Sequence, residues 1–318
     1  MNISAFLSII ITIFILLATG FVLGKIKVID RVASKNLSKL IVYIGQPALI
    51  INSIISKPYS LENLKLAFIG LILAFAVHLI LALMAFFACI KIKDINERKT
   101  TEFAMVFGNI GFLGIPVLDA LFPENGAFVA SFFVVAFNIL LWIIGLGIIA
   151  RRRDDVKLTV KHIFINKGTV PSLIGFVVFL IPAAFPSFIM PDFLGKGISY
   201  LASLCTPISM LIIGALLATR TMKQIFCSAK VYYLCFFKLL IIPLAFFLIT
   251  KLLGFSDFWV LFITAVSATP SASSTTMFAE LYDTAPEYSA QCVGTSTLLS
   301  VLTMPVVIML AQWLISFF

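Results

Sequence analysis

Apolar residues along the chain fall into ten runs of membrane-spanning length, separated by short polar or charged segments. A helix of about 20 residues crosses the hydrocarbon core of a bilayer. With that length the pattern predicts spans at 3 to 24, 33 to 55, 65 to 90, 102 to 121, 126 to 150, 168 to 188, 197 to 219, 229 to 252, 256 to 281 and 288 to 317. The first run is too long for the apolar core of a signal peptide and has no basic residues before it, so it is read as a span. Span four departs from the pattern. Between Phe107 and Phe122 it holds Gly108, Asn109, Gly111, Gly114, Pro116 and Asp119. A glycine inside a helix costs roughly 1 kcal/mol relative to alanine and a proline about 3, so the helix is expected to break here. Backbone freed at membrane depth cannot face lipid; it is buried in protein or lines a wet cavity.

Composition agrees with the pattern. Of 318 residues, 61% are hydrophobic and 12% charged, with a mean hydropathy of +1.14, which excludes an ordinary soluble domain. The net charge of +9 would suit a nucleic-acid partner, but the basic residues are scattered through the short loops, and none is expected. Loops after the odd-numbered spans carry sixteen basic residues; the opposite side has only Lys57, Lys65, Lys196 and Lys251. That asymmetry orients a multi-pass protein of the plasma (inner) membrane with the odd loops in the cytoplasm and both termini outside. Cys89, Cys205, Cys227, Cys235 and Cys292 have no paired spacing, so no disulfide framework, metal site or cofactor is predicted. His162 and Arg151 to Arg153 read as a solvated loop near anionic headgroups.

The basic connection at 151 to 167 divides the chain into halves, 1 to 150 and 168 to 318, of five spans each. An odd number of spans per half requires a repeated half to insert upside down. An offset of 160 aligns Pro47 with Pro207, Ala85 to Phe87 with Ala245 to Phe247, and Ala120 to Phe122 with Glu280 to Tyr282. It also places Asn109 on Thr269, Ile110 on Pro270 and Gly111 on Ser271, inside the irregular stretch SATPSASSTTMFAE from Ser267 to Glu280. The expected fold class is therefore an all-α polytopic membrane protein of two inverted five-helix repeats, with helices four and nine broken and crossing.

A broken helix exposes amides at one new end and carbonyls at the other. Amide ends favour an anion such as a carboxylate, and carbonyl ends a cation or donor. Around the crossing the candidate substrate-binding groups are Asn109, Gly111, Pro116, Thr269, Pro270, Ser271, Ser273, Ser274 and Thr275. For any single serine the alternative is close helix packing. Asn138, mid-span in FFVVAFNILLW, either reaches the crossing or ties two helices together. Lys238, near the middle of span eight, either supplies positive charge to an anionic substrate or extends its stem to the headgroups. Gln46, beside Pro47, is a candidate for the substrate wall. Pro47 and Pro207 are expected to kink spans two and seven. His78 and Asp119 are candidates for coupling to H⁺ or Na⁺; Glu280 sits near a helix end.

These residues resemble the bacterial branch of the auxin efflux carrier family. GNIGFLGIPVLDALFPENG followed by FNILLW, PALI in span two, TPISMLIIGALL in span seven, and SATPSASSTTMFAE followed by TLLSVLTMPVV carry the likeness along nearly the whole chain. The resemblance implies a fold related to bile-acid symporters and sodium–proton antiporters, an elevator motion, commonly a homodimer, and transport of organic anions such as auxin, malate or malonate. It also assigns crossing positions to Asn109, Gly111, Pro116, Thr269, Pro270 and Ser271, with Asn138 the polar residue of the FNI motif. The short central connection departs from plant members with a long regulatory loop, and the acidic cluster that binds sodium in related symporters is not evident. The expected function is that of a permease for small mono- or dicarboxylates. A channel or signalling membrane protein of the same fold is the alternative. No HExxH, Walker A or GxSxG motif points to an enzyme.

Overall fold

The computed structural model describes residues 3–151, 169–218 and 228–317. The connection at 151 to 167, apart from Arg151, and Cys227 lie outside them, as do His162 and the basic residues Arg220 and Lys223. Among the described residues the structure is all-helical, with a single isolated β-bridge. Among the described residues six helices are long and apolar enough to cross a membrane. Four shorter apolar helices, Ile11–Lys25, Ile110–Leu121, Thr169–Ala184 and Asp257–Ser267, accompany them.

The described chain forms two compact units, each discontinuous in sequence. One comprises residues 3–75, 111–143 and 169–218. Here α1 (Ile3–Lys25) packs along the helix Cys205–Ala218. The pair is close because glycines meet backbone: a Cβ on Gly20 would fall on Leu211 O, one on Gly214 on Leu17 O, and one on Gly24 within 2.8 Å of Ala215 Cα. Such small-residue seams let helices approach where lipid offers no hydrophobic drive. Elsewhere in this unit Gln46–Ile55 packs against Thr169–Ala184, Asp192–Ser203 and Gly126–Leu140. Phe128, Phe132, Phe176, Phe179 and Tyr59 fill the space between, with ring centroids 5.2 to 6.2 Å apart.

The other unit comprises residues 76–110, 144–151 and 228–317. Its long helix Pro286–Ile315 packs against Ile95–Val106, Ala229–Phe236, Asp257–Ser267 and Ser274–Leu281. Phe247, Val260 and Ala311 form part of its buried core.

Some boundaries differ from those expected. The helix at the start of span four begins at Ile95, not 102, because the Asp94 carboxylate accepts the amides of Asn96 and Glu97 as an N-cap. Arg98 and Lys99, counted above as loop charges, therefore lie in a helix, and Lys99 is buried. Pro207 stands in the first turn of Cys205–Ala218, three residues after a turn at Leu204 that interrupts the span Asp192–Ala218. Pro47 follows a π turn, Ile41–Gly45.

Candidate functional site

Both irregular stretches interrupt helices. Ile95–Val106 stops at Phe107, which is extended, and the chain resumes as a π turn, Ile110–Gly114, and a short helix, Ile115–Leu121. Asp257–Ser267 stops at Ala268, and helix resumes at Ser274–Leu281. Within the second unit the two gaps meet. Gly108 and Ser271 form an antiparallel bridge, in which the Asn109 amide donates to Pro270 O at 2.7 Å and the Ala272 amide to Phe107 O at 2.9 Å. Backbone groups orphaned by the breaks thus satisfy one another. Gly108 is required by the approach: a Cβ there would collide with Thr269 Oγ1.

Side chains close the carbonyl ends. Ser271 Oγ donates to Ala104 O at 3.0 Å, and Lys238 Nζ to Met105 O at 2.9 Å. Lys238 is 1% exposed, so its ammonium does not reach headgroups. Thr269 Oγ1 donates to Val266 O at 2.7 Å. The Ser271 amide donates to Ser296 Oγ at 3.2 Å, which brings span ten to the bridge. Ser296 belongs to the buried run Thr295, Ser296, Thr297 and Ser300; that cluster of hydroxyls in an apolar span was the available signal for it.

The amide end differs. Helix Ser274–Leu281 starts with Ser274 Oγ and Thr275 Oγ1, both buried and without a hydrogen-bond partner among the described residues. Leaving a buried hydroxyl unpaired costs about 1–3 kcal/mol. Ser273, just before it, is exposed.

Within Ile95–Val106 the buried Glu102 carboxylate holds two partly exposed arginines. Glu102 takes Arg98 Nε at 2.8 Å and Arg151 through two nitrogens at 3.0 and 2.7 Å. Both guanidinium groups lie over the Phe86 ring. Thr100 Oγ1 donates to Thr284 O at 2.6 Å, and Thr101 shares a hydrogen bond with the Tyr288 hydroxyl. These contacts tie the middle of the half-helix to its neighbours.

The second unit therefore brings together Asn109, Thr269, Pro270, Ser271, Ser274, Thr275 and Lys238; Asn109 is 5% exposed. His78 is fully buried in the same unit, its ring centroid 6.2 Å from that of Phe107. Gly111, Pro116, Asp119, Gln46 and Asn138 belong to the first unit. There Gln46 Nε2 lies 3.7 Å from where a Cβ would stand on Gly111. Asn138 Nδ2 bonds the Val134 carbonyl of its own helix at 2.8 Å. Asp119 and Glu280 are exposed, and no group of three or more His, Cys, Asp or Glu residues able to hold a metal ion lies together among the described residues.

The sequence matches the family described as "Membrane transport protein" over residues 5–308. It is 24% identical to a transporter of Methanocaldococcus jannaschii, across 97% of this chain and 98% of that one. It is 25% identical to a Rhizobium meliloti protein named "Putative malonate transporter", across 84% of this chain and 83% of the relative. With an all-helical structure and several apolar helices of spanning length, it is a multi-pass membrane transporter, and it belongs to the membrane transport protein family, that of the auxin efflux carriers.

Proposed function

We propose that this protein is a secondary carrier of small mono- or dicarboxylates, binding the substrate's carboxylate where the two interrupted helices meet. The observation that carries the reading is the asymmetry of the meeting point. Its carbonyl ends are closed by Lys238, Ser271 and Thr269, whereas the start of Ser274–Leu281, where Ala272 O takes the Thr275 amide at 3.0 Å, keeps two buried hydroxyls without a partner among the described residues. An anion is the ligand such an end favours. Asn109 and Thr275 would orient the carboxylate. The name of the Rhizobium meliloti relative supports malonate as the first compound to try.

Ten spans in two inverted repeats are part of the reading. Helix limits recur at the offset of 160, Leu121 with Leu281 and Gly126 with Pro286, and at 161 for Val106 and Ser267. The resemblance to auxin efflux carriers adds an elevator step and a homodimer; loop charge adds cytoplasmic odd loops.

The test is exchange in proteoliposomes. Labelled malonate should enter with saturation and be accelerated by unlabelled malonate inside. Unsaturating net current instead would favour a channel. Asn109→Ala should weaken exchange about tenfold or more, the worth of one hydrogen bond to a charged group, and still elute as a folded protein in detergent. Unchanged exchange would remove Asn109 from the site.

A further inference from the structure

The last turn of a helix leaves carbonyls without amide partners, and at a break inside a membrane such carbonyls are a place for a coupling cation. At the end of Ile95–Val106 they are taken from within the protein. Phe103 O accepts the Phe107 amide at 3.0 Å, Ala104 O the Ser271 hydroxyl at 3.0 Å, and Met105 O the Lys238 ammonium at 2.9 Å. The matching end of Asp257–Ser267 is closed by neutral donors: Thr264 O accepts the Ala268 amide and Ser267 Oγ, and Val266 O accepts the Thr269 amide and Oγ1.

Lys238 is held there by its element. It lies in the π turn Phe237–Ile241, and its Nζ comes within 3.3 Å of the position a Cβ would take on Gly108, beside the bridge. No carboxylate pairs with it among the described residues. Its Nζ is instead set against the negative end of a helix dipole, which favours the protonated amine. A metal cation at Met105 O would face this ammonium at contact distance in a medium that screens poorly.

We propose that Lys238 is a resident cation: its ammonium takes the role of a coupling metal ion at the carbonyl end of Ile95–Val106, so that substrate movement needs no sodium. The inference rests on the carrier reading above.

Two measurements test it. First, unfolding temperatures of the purified protein are compared in sodium, lithium and choline chloride at equal ionic strength. The wild type should show no sodium-specific rise. Lys238→Ala should gain a rise with ethylammonium that tetramethylammonium, which has no N–H to donate, does not give. A sodium-specific rise in the wild type, or an Ala variant blind to ethylammonium, overturns the proposal. Second, malonate exchange is measured with sodium or choline on both sides. The wild type should exchange equally in both. Lys238→Gln keeps a donor for Met105 O and loses the charge, so it covers the case in which the Ala variant does not fold. It should exchange about tenfold or more slowly, in keeping with the loss of a charged hydrogen bond. Sodium-dependent exchange by the wild type, or wild-type exchange by Lys238→Gln, overturns the proposal. Absence of malonate exchange in every salt counts against the carboxylate reading, and the detergent comparison still decides the role of Lys238.

Discussion

At Gly108 a single methyl group decides whether two helix breaks can meet. The Cβ of an alanine there would occupy the position of Thr269 Oγ1, whereas Thr269 Cβ is 3.5 Å away. The severe conflict is with one hydroxyl; Lys238 Nζ, 3.3 Å from that Cβ, need give only by a few tenths of an ångström. Gly108→Ala should therefore lower stability by about 1–3 kcal/mol, as overpacking does, and abolish exchange. Thr269→Ala should relieve the clash, so that the double variant is more stable than Gly108→Ala alone. Thr269→Val, which puts a methyl where the hydroxyl was, should give no relief. A double-mutant cycle of unfolding free energies measures this coupling, and additive losses would place the conflict elsewhere. At this scale the glycines, Asn109 and Pro270 were legible because they are out of place in apolar spans. Their partners were not. Ala104 and Met105 take part through carbonyls, which every residue has, and Lys238 was visible as a buried charge without its acceptor.

Elements show why a proline in a membrane helix was readable and its consequence was not. Of the four π turns among the described residues, three end two residues before a proline: Ile41–Gly45 before Pro47, Ile110–Gly114 before Pro116, and Phe237–Ile241 before Pro243. Proline has no amide to give and its ring crowds the carbonyl four residues back. An extra residue in the preceding turn widens the helix and eases that crowding without ending it. The fourth, Leu141–Gly145, has no such proline, and the structure offers no account of it. A sequence pattern predicts a kink at each proline; the inserted residue that turns the following face depends on packing. Packing also makes the seam between α1 and Cys205–Ala218 predictive. Gly214→Val would drive a side chain into Leu17 O and the Phe21 amide, and should cost about 1–3 kcal/mol. Thr19→Val, on the exposed side of α1 with its hydroxyl bonded to Ile15 O, should change stability by about 0.5 kcal/mol or less. Thermal unfolding in one detergent compares the two, and equal effects would mean that the seam is not a tight contact in solution.

For the whole molecule, hydropathy made the helical class legible and length alone did not deliver every span. Ile110–Leu121 and Asp257–Ser267 fall short of a membrane-crossing helix because a break divides the stretch to which each belongs. The two compact units also exchange chain at 75/76, 110/111 and 143/144, so no linker composition marks them, and α-helix Leu61–Cys89 runs through one of the exchanges without interruption. Orientation is a separate matter, carried by the loops. Sixteen basic residues against four predict that residues 151 to 167 face the cytoplasm. Once the five native cysteines are replaced, a single cysteine at His162 should react with a membrane-impermeant maleimide only after the cells are opened. One at Lys57, on the sparsely charged side, should react in intact cells. Both sites test one rule, so they must change together: external labelling at position 162 with protection at 57 would invert the protein. It would also reverse the face of the membrane toward which each of the two interrupted helices opens. Labelling of both positions from outside would mean an even number of crossings between them, which ten spans do not allow.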